Sequence, residues 1–157
     1  MTMRINDVLV EWLESNEWVE RPEVNEEEQT SSTEFSHKIG DDFSAKCYFD
    51  VNENTCFFKI FMYFLDSKIP EKKLDEVIKY VNLANINTSI GHLTVIPDER
   101  VLRYYAAIDV ENATIEIQHI SNLLVAGLRT LAGRLPQYMA ICFGEKTAEE
   151  ALAIEVT

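Results

Sequence analysis

The chain has 157 residues and a formal net charge of −13, from 27 acidic and 14 basic side chains. This length can bury a substantial core, so we expect one domain covering residues 1–157. So negative a surface repels phosphate backbones and anionic lipid headgroups, which argues against nucleic-acid and membrane partners. It suits a protein partner that offers a basic or amphipathic segment, although solubility alone also explains the acidity.

The cysteines Cys47, Cys56 and Cys142 are odd in number and lack the spacing of metal ligands. A hairpin turn centred on Asn52–Asn54 would set Cys47 opposite Lys59, so we expect no disulfide and predict free thiols in a reducing compartment. No apolar run approaches the roughly 18 residues of a membrane span, and the N-terminus lacks the apolar core of a signal peptide. A cytoplasmic location is therefore expected.

The N-terminal residues 3–14 predict an amphipathic helix, because their apolar side chains recur with helical spacing. That apolar stripe consists of Ile5, Val8, Leu9, Trp12 and Leu13. Residues 20–34 are acidic and polar with little to bury, which predicts a mobile acidic loop.

The sequence period changes to two from Phe35 onward, which predicts three strands in an antiparallel meander. Phe35–Ile39 and Phe43–Val51 alternate apolar and polar residues, whereas Cys56–Leu65 is apolar on both faces, as in a central strand. One face of that third strand carries Cys56, Phe58, Ile60, Met62 and Phe64. The other carries Phe57, Lys59, Phe61, Tyr63 and Leu65.

A second helix is predicted after Pro70, whose fixed φ suits a first helical turn. Its buried stripe is expected to contain Leu74, Val77, Ile78 and Val81. Asn85 follows on the same stripe, and its amide is expected to bond main-chain groups at the helix end or in the next loop.

A hairpin comes next, with strands at residues 93–96 and 101–109 around a turn at Pro97. Thr114 is the expected N-cap of a long helix that Pro136 breaks or bends. Thr147 and Glu150 have the spacing of a capping box and predict a short last helix.

The predicted fold is α+β, in the order α-β-β-β-α-β-β-α, with helices on one face of a five-stranded antiparallel sheet. The other face is then rich in aromatic side chains, which marks a partner or dimer interface. The expected interface residues are Phe57, Phe61, Tyr63 and Tyr105. Alternatively, the 20–34 loop or the C-terminal segment folds over this face.

The residues that carry chemistry form no recognisable catalytic or metal-binding set. His37, His92 and His119 are spaced unlike metal ligands, and apolar neighbours of Cys142 would raise the pKa of its thiol. There is no nucleophile or phosphate-loop motif, and the paired acids at Asp98 lie in a predicted turn. We therefore predict no catalytic residue, no metal and no cofactor, and a protein that is not an enzyme.

Three stretches, Val81–Val95, Pro97–Asn112 and Arg134–Ala151, resemble the YbjN domain family, in particular its small cyanobacterial-type members. This family shares the fold of the type III secretion chaperones. Its members are described as sensory-transduction regulators without established catalytic residues. The chaperones are small, acidic and usually dimeric, and they hold a partner segment along apolar patches. The resemblance thus implies a protein-binding homodimer with a chaperone-like or regulatory role.

Two other hypotheses stay open at this stage. The first is a small-molecule sensor whose ligand sits between the sheet and the helices, near Arg103, Tyr104 and Tyr105. The second is a hydrolase built on Asp98 or Asp109 together with a histidine.

Overall fold

The computed structural model describes residues 3–155 and has an α+β fold. One antiparallel sheet of six strands has the order β1-β2-β3-β4-β6-β5. The strands are β1 (Glu23–Asn25), β2 (Thr30–Ile39), β3 (Phe43–Asn52), β4 (Phe57–Phe64), β5 (His92–Ile96) and β6 (Val101–Asp109). The helices are α1 (Arg4–Ser15), α2 (Leu74–Asn85), α3 (Ile117–Cys142) and α4 (Ala148–Leu152), with a 3₁₀ turn at Glu71–Lys73.

The core lies between the helices and one face of the sheet, which we call the inner face. In β4 the inner-face side chains Phe58, Ile60, Met62 and Phe64 are fully buried, as their alternation predicts. Gly127 brings α3 close to this face, since a Cβ at Gly127 would meet the Met62 methyl carbon at 2.6 Å. The α+β class and the antiparallel sheet with helices are therefore confirmed.

The sheet has six strands, so the prediction of five was wrong, and residues 23–25 and 30–34 of the predicted loop are strands. β1 pairs with the first residues of β2, and the acidic run forms the turn between them. The hydrophobic pattern gave no sign of the first half of β2 because its buried inner-face positions are Ser31 and Thr33. Main-chain pairing and packing override a polar sequence in this region.

The turn between β3 and β4 also differs from the prediction. Asn52 pairs with Phe57, so Cys47 lies opposite Met62 and not opposite Lys59. Cys56, the last residue of the turn, has a left-handed backbone with φ of 56°. All three cysteines are free thiols, as predicted.

The helices depart from the sequence prediction in detail. In α2 Ile78 is exposed, and Tyr80 takes the buried position because its hydroxyl donates to Gln137 Oε1 at 2.7 Å. The N-cap of α3 is Glu116 and not Thr114. Pro136 does not break α3, which continues to Cys142.

Two side chains tie distant segments together. The Glu53 carboxylate, in the β3–β4 turn, accepts hydrogen bonds from the main-chain N–H groups of Ile5 (2.6 Å) and Asn6 (3.0 Å), which caps the start of α1. Asn85 donates to the carbonyl of Leu93 at 2.9 Å and accepts from its N–H at 2.8 Å. The structural role predicted for Asn85 is confirmed, but its partner lies in β5 and not at the helix end or in the following loop.

Candidate partner-binding face

The outer face of the sheet carries a row of ring side chains that crosses four strands. Tyr48 of β3 lies opposite Phe61 of β4, Phe61 opposite Tyr105 of β6, and Tyr105 opposite His92 of β5. The ring centres of Phe61 and Tyr105 are 5.0 Å apart, and those of Tyr105 and His92 are 5.2 Å apart. We call these four residues the aromatic row. Such cross-strand contacts hold each ring in place on the sheet.

Tyr63 and Arg103 lie beside the aromatic row and contact its rings from one side. Tyr63 meets Tyr48 edge to face at 5.8 Å. The Arg103 guanidinium lies 5.4 Å from the ring centre of Phe61 and 5.6 Å from that of Tyr105. Arg103 Nε also donates to the Thr94 hydroxyl at 3.0 Å. Arg103 is thus an ordered part of the aromatic surface.

All four predicted interface residues lie on this outer face, each half-buried. The structure brings Phe61, Tyr63 and Tyr105 into one cluster. Phe57 lies near the end of β4, where the Lys59 ammonium is 5.6 Å from its ring centre.

Sequence reasoning did not assign Tyr48 and His92 to this surface. Both occupy outer-face positions of their strands, so strand alternation was the available signal. The incorrect β3–β4 register concealed that Tyr48 adjoins Phe61.

The two segments considered as covers for this face lie elsewhere. Residues 23–34 extend the sheet sideways through β1 and β2. In the C-terminal region, α4 packs against α2 and α3 on the helical side. Within residues 3–155 the outer face is therefore left without a helical layer.

The outer-face strand positions carry equal numbers of acidic and basic side chains. The acidic ones are Glu23, Glu34, Asp50 and Asp109, and the basic ones are Lys38, Lys46, Lys59 and Arg103. The strand positions of this face therefore have no net formal charge, and the full excess of −13 lies on other residues, which include Glu26 in the β1–β2 turn beside the face.

One ion pair on this face is well defined. Lys46 Nζ lies 2.7 Å from the Glu34 carboxylate, which also accepts a 3.2 Å hydrogen bond from the Tyr48 hydroxyl. The hydrogen bond from Lys46 lowers the pKa of Glu34, and the same bond raises the pKa of Lys46. The side chains of Lys46 and Glu34 are 36% and 54% exposed, so solvent screens the pair.

A shallow depression of about 690 Å³ occupies the β1 side of the outer face. Its lining includes Glu23, Glu26, Asp50, Lys59 and Phe61. The depression lies beside the β1–β2 turn, which contributes Glu26 to its lining.

The other residues singled out for chemistry are scattered. His119 Nδ1 accepts from the Glu116 N–H at 2.9 Å as part of a helix cap. Asp98 lies in the β5–β6 turn, whereas Asp109 lies at the far end of β6. Burial raises the pKa of Cys47 to about 12 and that of Cys142 to about 11. Among residues 3–155, no group of three or more His, Cys, Asp or Glu side chains is arranged to hold a metal.

The three residues of the sensor hypothesis are not gathered around one space. Tyr104 is fully buried between the sheet and the helices, and its hydroxyl donates to the carbonyl of Ile90 at 2.7 Å. Arg103 and Tyr105 point to the opposite side of the sheet. In the part of the chain that the structure describes, no helix has the length and apolar character needed to cross a membrane.

Comparison with models of known protein families gives no match, and no curated protein is significantly similar to this chain.

Proposed function

We propose that this protein is a non-enzymatic binding module, chaperone-like or regulatory, that works as a homodimer joined through the outer face of the sheet. The observation that carries the proposal is the ordered aromatic row on an uncovered, charge-balanced face. Half-buried aromatic side chains gathered on a sheet face without a helical layer are typical of protein interfaces.

Charge favours a second copy of this chain as the occupant of the face. Two molecules of −13 repel each other over most of their surfaces, and the repulsion is least where charges balance. The outer face is such a surface. A strongly basic partner would instead be drawn to the acidic surfaces outside it.

The charges on this face are also self-complementary. Lys46 and Asp50 lie on the two sides of Tyr48 in β3. A two-fold axis along the aromatic row would therefore bring Lys46 of each copy opposite the partner's Asp50. Such an isologous contact forms each favourable pair twice.

The size of the face suits a stable dimer. With strands about 4.8 Å apart and about 3.3 Å per residue, the six strands cover on the order of 700 Å². Stable interfaces bury about 800 Å² per partner, so the outer face supplies most of what is needed.

The edges of the sheet are poor alternatives for association. Asn85 already occupies both main-chain groups of Leu93 on the free side of β5. At the other edge β1 has only three residues, all with exposed side chains, next to an acidic turn. Short, charged edges disfavour strand addition.

In such a dimer the acidic excess lies on the outward surfaces, where it can steer a basic or amphipathic protein segment toward the module. The resemblance of Val81–Val95, Pro97–Asn112 and Arg134–Ala151 to the YbjN family supports this role. We extend the proposal to a fold of the secretion-chaperone type, in which dimers hold partner segments.

The test is sedimentation equilibrium of the wild type, Phe61→Asp and Val19→Asp. Val19 is 88% exposed and lies outside the sheet, so its variant adds the same charge elsewhere. We expect a wild-type dimer, a monomer for Phe61→Asp and a dimer for Val19→Asp. A wild-type monomer at about 100 µM, far above the Kd typical of stable interfaces, would contradict the proposal.

A further inference from the structure

A second depression, of about 520 Å³, lies on the helical side of the molecule, away from the sheet face. Three separate segments form it: the loop between α2 and β5, the middle of α3, and the chain after α4. Arg129 and Arg134 both line it, together with the hydroxyl-bearing residues Thr88, Ser89 and Thr130 and one carboxylate, that of Glu155, so two positive charges face one negative charge. We call it the arginine depression.

Two arginines on one depression are unusual in a chain with 27 acidic and 14 basic residues. The ion pairs of the described region are Lys46–Glu34 and Lys79–Glu149, so neither arginine forms an ion pair there, although the Glu155 carboxylate lines the same depression. Arg129 is exposed and makes no side-chain hydrogen bond with residues 3–155. Its positive charge is available to a ligand.

Arg134 is positioned by a buried polar network. Its guanidinium donates to Gln137 Oε1 at 3.1 Å, and the same oxygen accepts from the Tyr80 hydroxyl at 2.7 Å. Gln137 is only 1% exposed, and its Nε2 donates to the Ile154 carbonyl at 2.8 Å. Because Gln137 is held on both sides, Arg134 has a preferred orientation before any ligand binds.

We propose that the arginine depression binds a phosphate group, either as inorganic phosphate or as part of a small phosphorylated molecule. One guanidinium group can donate two parallel hydrogen bonds to a phosphate group, and hydroxyl donors can satisfy the remaining phosphate oxygens. The volume of the depression falls within the range of small-molecule sites. The site does not depend on the outer face, so it stands independently of the proposed dimer.

Such a site would join the C-terminal segment to the body of the protein. Ile154, which Gln137 binds, lines the depression beside Thr88 of the α2–β5 loop. A phosphate bound there would stabilise the folded state and raise the thermal midpoint of unfolding.

The test is an NMR titration of the full chain with inorganic phosphate and pyrophosphate, comparing the wild type with Arg129→Gln, Arg134→Lys and Lys68→Gln. Arg129→Gln removes an exposed side chain without internal contacts, so its fold should be unchanged. Arg134→Lys keeps the charge and loses the planar fork. Lys68→Gln removes one exposed positive charge outside the depression and serves as the matched control.

We expect saturable shifts at Thr88, Thr130 and the Ile154 amide, with binding at least tenfold weaker in both arginine variants and unchanged in Lys68→Gln. The proposal is overturned if neither phosphate nor pyrophosphate gives saturable shifts at millimolar concentration. It is equally overturned if the three variants weaken binding alike, since that result means non-specific attraction to positive charge.

Discussion

The side-chain amide of Asn85 pairs with the main chain of Leu93 as a neighbouring strand would. Both main-chain groups of Leu93 on the free side of β5 are bonded, the carbonyl at 2.9 Å and the N–H at 2.8 Å. This pairing anchors the end of α2 to the edge of the sheet. It also occupies this edge at one position, which hinders pairing with another strand there.

Asn85→Ala should destabilise the fold by about 1–3 kcal/mol, because it leaves two partly buried main-chain groups unpaired. Asn85→Asp should also destabilise, since its carboxylate cannot donate to the Leu93 carbonyl. Urea unfolding measures both effects. The control is Asn82→Ala, at an exposed position of the same helix. If Asn82→Ala lowered the free energy of unfolding as much as Asn85→Ala does, the pairing role of Asn85 would be refuted.

The Glu53 carboxylate should stabilise α1 from the β3–β4 turn, since it accepts from the Ile5 and Asn6 N–H groups. We expect Glu53→Ala to cost about 1–2 kcal/mol in the free energy of unfolding, as other lost helix caps do. Glu53→Gln should cost less, because its amide oxygen still accepts although the charge is lost. Glu99→Ala, at an exposed turn residue, should change the stability little.

The hydrogen bonds of Asn85 and those of Glu53 differ in whether a single sequence predicts them. Asn85 was predictable because an amide on the buried stripe of a helix needs local partners. Glu53 was not, because its partners are 47 and 48 residues away and nothing in the turn points to them.

The same limit applies to the sheet and to its outer face. The alternation of β4 and β6 correctly separated buried from outward residues, including Phe61 and Tyr105. β1 escaped prediction because a three-residue edge strand with exposed side chains has no hydrophobic period. The predicted pairing of Cys47 with Lys59 placed a buried residue opposite an outward-facing one. Directly paired residues point to the same face of a sheet, so this mismatch indicated that the predicted register was wrong.

Alkaline conditions should weaken the fold through Cys47. Burial raises the pKa of its thiol from 9.0 to about 12. Because the folded-state pKa of Cys47 lies above its unfolded value, the stability that this thiol contributes is fully present below pH 9.0. That contribution is lost as the pH rises toward about 12. The stability advantage of the wild type over Cys47→Ala should therefore shrink by about 2 kcal/mol between pH 8 and 10.5.

Urea unfolding at several pH values measures this change, with Cys56→Ala as the control at a half-buried thiol. An advantage over Cys47→Ala that stays constant across that pH range would show that burial does not hold this thiol in its neutral form.

Gly127→Ala should destabilise the fold by about 1–3 kcal/mol, the typical cost of overpacking. The added Cβ would lie 2.6 Å from the Met62 methyl carbon and 2.8 Å from the Tyr104 ring. Gly40→Ala is a useful comparison, because its Cβ meets nothing within 4 Å and only its φ of 74° opposes the substitution. Thermal unfolding of both variants separates crowding from backbone strain.

In the proposed dimer, two copies meet through the outer faces of their sheets. The most direct measurement is an isotope-filtered NOE experiment on an equal mixture of labelled and unlabelled protein. We predict intermolecular contacts from the rings of Phe61, Tyr63 and Tyr105, and none from α2 or α4. Intermolecular contacts that arise only from the helices would contradict the proposed dimer. A protein of monomer mass without any intermolecular contacts would contradict it as well.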